Sequence, residues 1–248
     1  MKNYLICKNE RVDDLQVPLK NGKTLCIIQN PDYFCFGIDA VLIANFARVP
    51  KNALVADLGC GCGVIGLLIA AKTEAAHVTG LEIQSDIADM ARRSVRLNGL
   101  DEKVAIENID FNYYNKASAF DVVICNPPYK EIGGGLRNPN LHLAIARHEV
   151  CCTLCDVIKT SSRILKPGGK LNLIHRPERL ADIICKMREN GIEPKRIRLV
   201  HPHYNKKPMS VLIEGAKGGR PKLLFEPPLY VYDNNNQYTD EIIRMYSS

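Results

Sequence analysis

Hydrophobic positions along this chain switch repeatedly between two periods. Short apolar runs rich in β-branched residues alternate with longer stretches in which apolar residues return every three or four positions. The strand-like runs are Leu54–Leu58, His77–Glu82, Val104–Asp110, Phe120–Cys125, Lys170–His175, 195–200 and Met209–Glu214. Between them lie helical stretches. Val41–Ala47 is N-capped near Asp39 and ended by Pro50, and a second helix runs from a glycine turn to about Lys72. Ser85–Asn98 has Ser85 as its cap and Asn98-Gly99 as its stop; 141–165 is closed by Lys166-Pro167-Gly168-Gly169, and 177–190 by Asn190-Gly191. This βαβα alternation predicts an α/β fold: a doubly wound, Rossmann-like, seven-stranded sheet, mostly parallel, with an antiparallel hairpin near its end. Ahead of it, residues 1–30 read as a short β-rich lead-in, with Val12–Leu15 and Leu25–Gln29 joined at Asn21-Gly22. The expected units are this lead-in, a main domain over 31–216, and a basic and polar C-terminal extension over 217–248 packed on it.

Two punctuation points interrupt the pattern where strands end. After Leu54-Val55-Ala56-Asp57-Leu58 comes Gly59-Cys60-Gly61-Cys62-Gly63. Glycines let the backbone turn sharply and approach a ligand, and the following helix start offers free N–H groups. Dinucleotide folds use glycine here too, but Asp57 would repel a pyrophosphate and can accept from an ammonium group. Glu82, ending the next strand, can take two ribose hydroxyls. An amino group, a ribose and no phosphate describe S-adenosylmethionine. Asp110, at the end of a third strand, is placed either to accept from the cofactor's adenine amine or to cap a helix.

The second point is Asn126-Pro127-Pro128-Tyr129, directly after the Phe120–Cys125 strand. Asn126, preceding proline, is held extended; the prolines remove two amide donors and leave carbonyls free to accept. An amide oxygen beside a bare carbonyl, followed by an aromatic ring, suits a flat group bearing an NH2. Taken alone, the motif reads equally well as a stiff turn.

Composition narrows the setting. The 248 residues, 46% of them hydrophobic, suffice for one large domain or slightly more, since domains run to about 150 residues. There is no long apolar run and no signal-peptide pattern, so a cytoplasmic protein without membrane contact is expected. The ten cysteines, such as Cys26, Cys125 and Cys185, fall within apolar strands and helices, which predicts reduced core thiols. Cys152-Thr153-Leu154-Cys155 has a ligand-like spacing but no completing set, so no metal is expected. Arg92, Arg93 and Arg96 read as a solvated helix face. A charge of +6 fits an anionic partner. Lys130 and Arg137 in a glycine-rich loop, His201–Lys207 with Lys206 and Lys207, and Lys217 with Arg220 read either as solubilising loops or as one phosphate-binding rim around a single sheet end.

In combination these motifs resemble class I S-adenosylmethionine-dependent methyltransferases of the Asn-Pro-Pro-Tyr, amino-methylating type. More narrowly, Phe36-Gly37-Ile38-Asp39-Ala40, Asn138-Pro139-Asn140, Ala144–Glu149, Arg198–Pro202 and the tail with Lys217–Pro221 and Pro227–Tyr232 resemble the bacterial tRNA adenine-N6 methyltransferases acting on adenosine 37 of a valine tRNA. The resemblance implies a cofactor set of Phe36, Gly37, Asp39, Asp57, Gly59, Gly61, Gly63, Glu82, Ile83, Asp110 and Asn126. It also implies a catalytic set of Asn126, Pro127, Pro128 and Tyr129, and an anticodon loop as partner. Protein glutamine methylation and an inactive RNA-binding module remain as alternatives. No oligomeric state follows from the sequence.

Overall fold

The computed structural model describes residues 6–19, 22–33, 35–127 and 153–247. Its centre is a single twisted sheet. In chain order the strands are β3 (Leu54–Leu58), β4 (His77–Glu82), β5 (Val104–Asn108), β6 (Phe120–Cys125), β7 (Leu165–His175), β8 (Ile192–His201) and β9 (Ser210–Lys217). Spatially they run β8-β9-β7-β6-β3-β4-β5, with β9 antiparallel to both neighbours and every other pairing parallel. The predicted seven-stranded core and its antiparallel hairpin are both present. Two short strands, β10 (Leu224–Phe225) and β11 (Leu229–Tyr230), add in parallel to the outer edge of β8.

Side-chain alternation along the strands divides the interior in two. Val55, Val78, Val122 and Ile124 pack under α1 (Ile38–Phe46), α2 (Val64–Lys72) and α3 (Ser85–Asn98). Ala56, Leu58, Leu81, Val123 and Cys125 pack on the other face, against α4 (Leu154–Ile164) and α5 (Leu180–Glu189). Burial on both faces explains why these parallel strands read as unbroken apolar runs.

The N-terminal hairpin, β1 (Arg11–Pro18) and β2 (Thr24–Gln29), is a separate two-stranded sheet lying against α3. The edge of β2 is satisfied by helix side chains. Asn98 accepts from the Cys26 amide at 2.8 Å and donates back to its carbonyl at 2.6 Å, while Ser94 Oγ accepts from the Ile28 amide at 3.0 Å. Arg93 grips Glu10 with both terminal nitrogens, at 2.6 and 2.7 Å, and Asp89 with Nε at 2.8 Å. The arginine row on α3 is therefore not a uniformly solvated face: Arg93 is buried and joins hairpin to helix, and Arg92 donates to the Ile106 carbonyl. At the C-terminus, α6 (Asp240–Ser247) returns to α1 and the end of α2, where Asn45 and Lys72 donate to the Met245 carbonyl. Arg196, buried in β8, bonds Glu214, Glu226 and the Phe46 carbonyl and covers the Phe46 ring, tying sheet, tail and α1 together. Removing one partner of such a buried pair costs about 3–5 kcal/mol.

Several local expectations shift. Gly37 and Gln84, rather than Asp39 and Ser85, occupy the N-cap positions of α1 and α3, and neither makes a side-chain cap. The predicted 141–165 helix is described only from Leu154, where Thr153 and Asp156 form a capping box; its earlier part lies outside the described residues. Lys166–Gly169 belongs to β7 as an irregular start, since pairing with β6 slips between Phe120 and Val122. Cys185 is exposed, not a core thiol, while Cys60, Cys62 and Cys125 are buried.

Candidate active site

Strand register brings the singled-out residues to one edge. Leu58 of β3 is level with Leu81 of β4 and with Cys125 of β6. The next residues, Gly59, Glu82 and Asn126, therefore leave the sheet side by side, on strands about 4.8 Å apart. Alternation also fixes their direction. Asp57, Glu82 and Asn126 share parity with Val55, Val78 and Ile124, so all three belong to the face covered by α1, α2 and α3. Residues distant in sequence are thus assembled at the carboxyl edge, where open α/β sheets bind ligands.

The turn after β3 needs glycine at three positions. Gly59, Gly61 and Gly63 have φ of 66°, 54° and 84°, the left-handed region that side chains disfavour. A Cβ on Gly59 or Gly61 would meet nothing within 4 Å, so the backbone there borders open space. The turn is held from below, as the Gly59 and Cys60 amides donate to the Leu81 carbonyl at 2.9 and 3.1 Å.

The two acids flanking this turn differ. Glu82 is buried and engaged: Oε2 accepts from the Gly61 amide at 3.0 Å and Oε1 from the Gln84 amide at 2.9 Å. Each oxygen retains one lone pair for a ligand hydroxyl, so Glu82 shapes the glycine turn before it can serve any ribose. Asp57 is equally buried, yet neither carboxylate oxygen has a well-formed hydrogen bond. Burial pushes its pKa up to about 7; the nearby Gly66 amide opposes that, though without a bond of good geometry, and the Glu82 charge adds to it. A buried carboxylate lacking donors is costly unless a ligand supplies them.

The remaining predicted residues take distinct places. Asp110 Oδ1 accepts from the Asn112 amide at 2.9 Å, capping a short 3-10 turn over Phe111–Tyr113. The capping alternative is realised, and one carboxylate oxygen remains for other contacts. Ile83 is 40% exposed at the end of β4, an apolar surface beside the turn. The Phe36 amide donates to Gln29 Oε1 at 3.0 Å, which hooks the Phe36–Asp39 segment to the hairpin. Asp39 accepts from Ser210 Oγ at 3.2 Å, and burial raises its pKa despite that bond and the Arg176 charge. Pro127 is buried and Asn126 half-buried. Pro128, Tyr129, Lys130 and Arg137 lie outside the described residues.

The predicted basic rim is divided. Lys206 and Lys207 are exposed in the connection from β8 to β9, which emerges at the carboxyl edge beside His175 and Ser210. Lys217 pairs with Ile192 at the opposite end of the sheet, where its Nζ donates to the Leu165 carbonyl at 2.7 Å; Arg220 follows it there. The antiparallel sense of β9 produces this separation, so one sheet end does not carry both clusters. Sequence reading also missed Gln29, Ser210 and Asn108, the last of which donates to the Glu82 and Ile83 carbonyls at 2.8 and 3.0 Å. Asn108 sits at a strand end two residues before Asp110, a position that flags it in retrospect.

These groups fit S-adenosylmethionine. Asp57 lacks the donors an ammonium supplies, the glycine turn leaves space at Gly59 and Gly61, and Glu82 and Ile83 offer an acceptor and an apolar surface. Comparison with known proteins agrees. Residues 38–185 match the family model described as the methyltransferase small domain. Two curated relatives are named tRNA1(Val) (adenine(37)-N6)-methyltransferase. That from Aliivibrio fischeri is 26% identical over 208 residues and that from Porphyromonas gingivalis 27% over 222; each alignment covers 84% of this chain and 86% of the relative. Among solved structures, a predicted O-methyltransferase from Agrobacterium tumefaciens superposes with a TM-score of 0.69 at 29% identity, covering 84% of this chain and 95% of that one. The geranyl diphosphate C-methyltransferase of Streptomyces coelicolor, at 15% identity and a TM-score of 0.54 over 72% and 79% of the two chains, shares the fold. The family match spans well over half the chain and includes all three strand ends that carry Asp57, Glu82 and Asn126: the protein belongs to the methyltransferase small domain family.

Proposed function

We propose that the protein transfers a methyl group from S-adenosylmethionine to the exocyclic N6 amine of an adenine in tRNA, at adenosine 37 beside the anticodon of a valine tRNA, in the cytoplasm. The observation that carries the reading is the convergence of Asp57, Glu82 and Asn126 on one face at three adjacent strand ends, in a chain whose curated relatives bear that name.

The cofactor, when bound, supplies an electrophilic methyl group on a sulfonium. Asp57 receives its ammonium, the Gly59–Gly63 backbone makes room for it, Glu82 accepts from its ribose, and Asp110 accepts from its adenine amine. On the acceptor side, the difficulty is that the lone pair of an adenine amine is delocalised into the ring. The Asn126 amide oxygen and the Pro127 carbonyl accept from the two N–H bonds. That arrangement favours a tetrahedral nitrogen and aims its lone pair towards the donor side of the site. Asn126 is neutral and holds no proton at the end of the step; water takes it. Pro128 and Tyr129 complete the grip, Tyr129 by stacking on the base. An anticodon-loop base is unpaired, which keeps the cost of extruding it low.

Glutamine-amide methylation presents a similar planar NH2. The curated relatives are named for a tRNA adenine and not for a protein amide, which favours the RNA reading. The discriminating experiment supplies labelled cofactor with either total tRNA or cell protein. Label in tRNA, recovered as N6-methyladenosine, is expected; label in protein alone would sink the assignment. Asn126→Ala should lower turnover at least 100-fold while leaving cofactor affinity within a few-fold, by isothermal titration.

A further inference from the structure

The connection from β8 to β9 is built around a residue that no part of the methyl-transfer site uses. Tyr204 is 72% exposed and, among the described residues, enters no ring pair. Its surroundings are anything but loose. His201 Nδ1 and the Lys206 carbonyl are 2.7 Å apart, the Lys206 amide donates to the His203 carbonyl at 3.1 Å, and the Met209 amide donates to the Val200 carbonyl at 2.7 Å. The two histidines just before Tyr204 are rooted in the C-terminal segment. His201 lies 5.6 Å from the Tyr230 ring and His203 5.5 Å from Tyr232. Tyr232 continues the row through Tyr238 at 5.3 Å and Tyr246 at 6.1 Å, both stacked. The Val231 and Tyr232 amides donate to the His201 and Pro202 carbonyls at 2.9 Å, fixing the row to the turn.

A turn this well anchored holds an aromatic ring in solvent at low entropic cost, and Lys206 and Lys207 stand exposed just beyond it. The turn leaves the same sheet edge as Asn126, three strands away, which is roughly 15 Å at ordinary strand spacing. An exposed ring followed closely by two exposed lysines, beside a site that takes a planar base, matches single-stranded nucleic acid rather than a protein partner. Unpaired bases stack on aromatic faces while lysines follow the phosphates.

We infer that Tyr204 is a stacking platform for an unpaired base neighbouring the methylated one, with Lys206 and Lys207 on the adjoining phosphates. This rests on the RNA reading given above, and the row from His203 to Tyr246 serves as the support that keeps the platform in place.

The test measures binding of a single-stranded RNA oligonucleotide carrying 2-aminopurine, by anisotropy and fluorescence quenching, alongside methylation kinetics on tRNA. Tyr204→Ala should weaken oligonucleotide binding and raise KM for tRNA about ten-fold, within the range for base–aromatic stacking. Its kcat, cofactor affinity and melting temperature should stay at the wild-type values, and Tyr204→Trp should restore binding and quenching. Equal RNA affinity of Tyr204→Ala and wild type would overturn the inference, as would a Trp variant as weak as the Ala one. A wild-type protein that binds the oligonucleotide through Tyr204 but methylates no RNA would refute the substrate reading while upholding the platform.

Discussion

Two aspartates on neighbouring strands, at opposite ends of the same sheet, have opposite fates. Asp57 stands at the carboxyl end of β3, buried, with both oxygens lacking a well-formed bond. Asp121 stands at the amino end of β6, where it accepts from the Leu54 amide at 2.9 Å and from Lys166 Nζ at 2.8 Å. Burial drives Asp57 up to about 7. Partial burial also acts to raise Asp121, but the Leu54 amide and Lys166 outweigh it and hold that carboxyl below its usual range. The amino end is closed by the chain's own donors; the carboxyl end leaves a buried carboxyl group without them. A sheet can carry such a defect when a ligand completes it, and the defect then marks the ligand's place.

The largest effects are expected at Asp57. Asp57→Asn removes the negative charge that pairs with a buried ammonium and should weaken cofactor binding about 100-fold, read by isothermal titration. The same substitution has the reverse effect on the ligand-free protein. Because the folded state raises the Asp57 pKa, folding takes up a proton, and stability falls as pH rises from the ordinary value of 3.8 to about 7. The full loss is on the order of 4 kcal/mol, since each pKa unit corresponds to about 1.4 kcal/mol. Asp57→Asn should therefore melt above wild type at pH 8 and converge with it towards pH 4. Parallel melting curves across that range would show that Asp57 is solvated or paired after all.

Asp121 supplies the contrasting case. Asp121→Ala should cost about 1–2 kcal/mol in denaturant unfolding, through loss of its bonds to Leu54 and Lys166. Here the sign with pH is opposite: a lowered carboxylate pKa stabilises above the usual range and ceases to do so as pH falls through it. Cofactor affinity and methyl transfer should be unchanged, because nothing at that end touches the site. A variant with weakened cofactor binding would mean that the two ends of β3 and β6 are coupled.

That same division explains what the sequence reveals. Strand runs, the glycine turn and the Asn126-Pro127 motif are local signals, whereas the shared face of Asp57, Glu82 and Asn126 follows from strand register together with the parity kept within each strand. Engagement is not local. Nothing in Leu54–Gly63 distinguishes an acid that lacks donors from one that has them; that depends on Gly61 and Gln84 reaching Glu82 and not Asp57. Arg93 looks like any helix-surface arginine until Glu10, 83 positions away, is brought beneath it. Asp39 resembles a helix cap by spacing, but its partner, Ser210, arrives from a strand 171 positions later. The basic clusters 201–207 and 217–222 are close in sequence, yet one antiparallel strand, β9, runs between them and carries them to opposite ends.

The smallest effect tests that last separation. Salt dependence of RNA binding counts phosphate contacts, with a slope of about −0.7 per contact on a single strand in a plot of log affinity against log salt. Replacing Lys206 and Lys207 together with Ala should reduce the slope by about 1.4 and lower affinity at low salt, with the difference shrinking as salt rises. Replacing Lys217 and Arg220 together should leave the slope unchanged. Lys217→Ala loses only its bond to the Leu165 carbonyl, so a modest loss of stability is its expected signature. Equal slope changes for the two pairs would require RNA to wrap from one end of the sheet to the other. That path would pass the β8 edge, where Phe225 is 69% exposed and Leu224 51%. Such a wrap predicts that Phe225→Ala also weakens RNA binding, whereas contact confined to the carboxyl edge predicts that it does not.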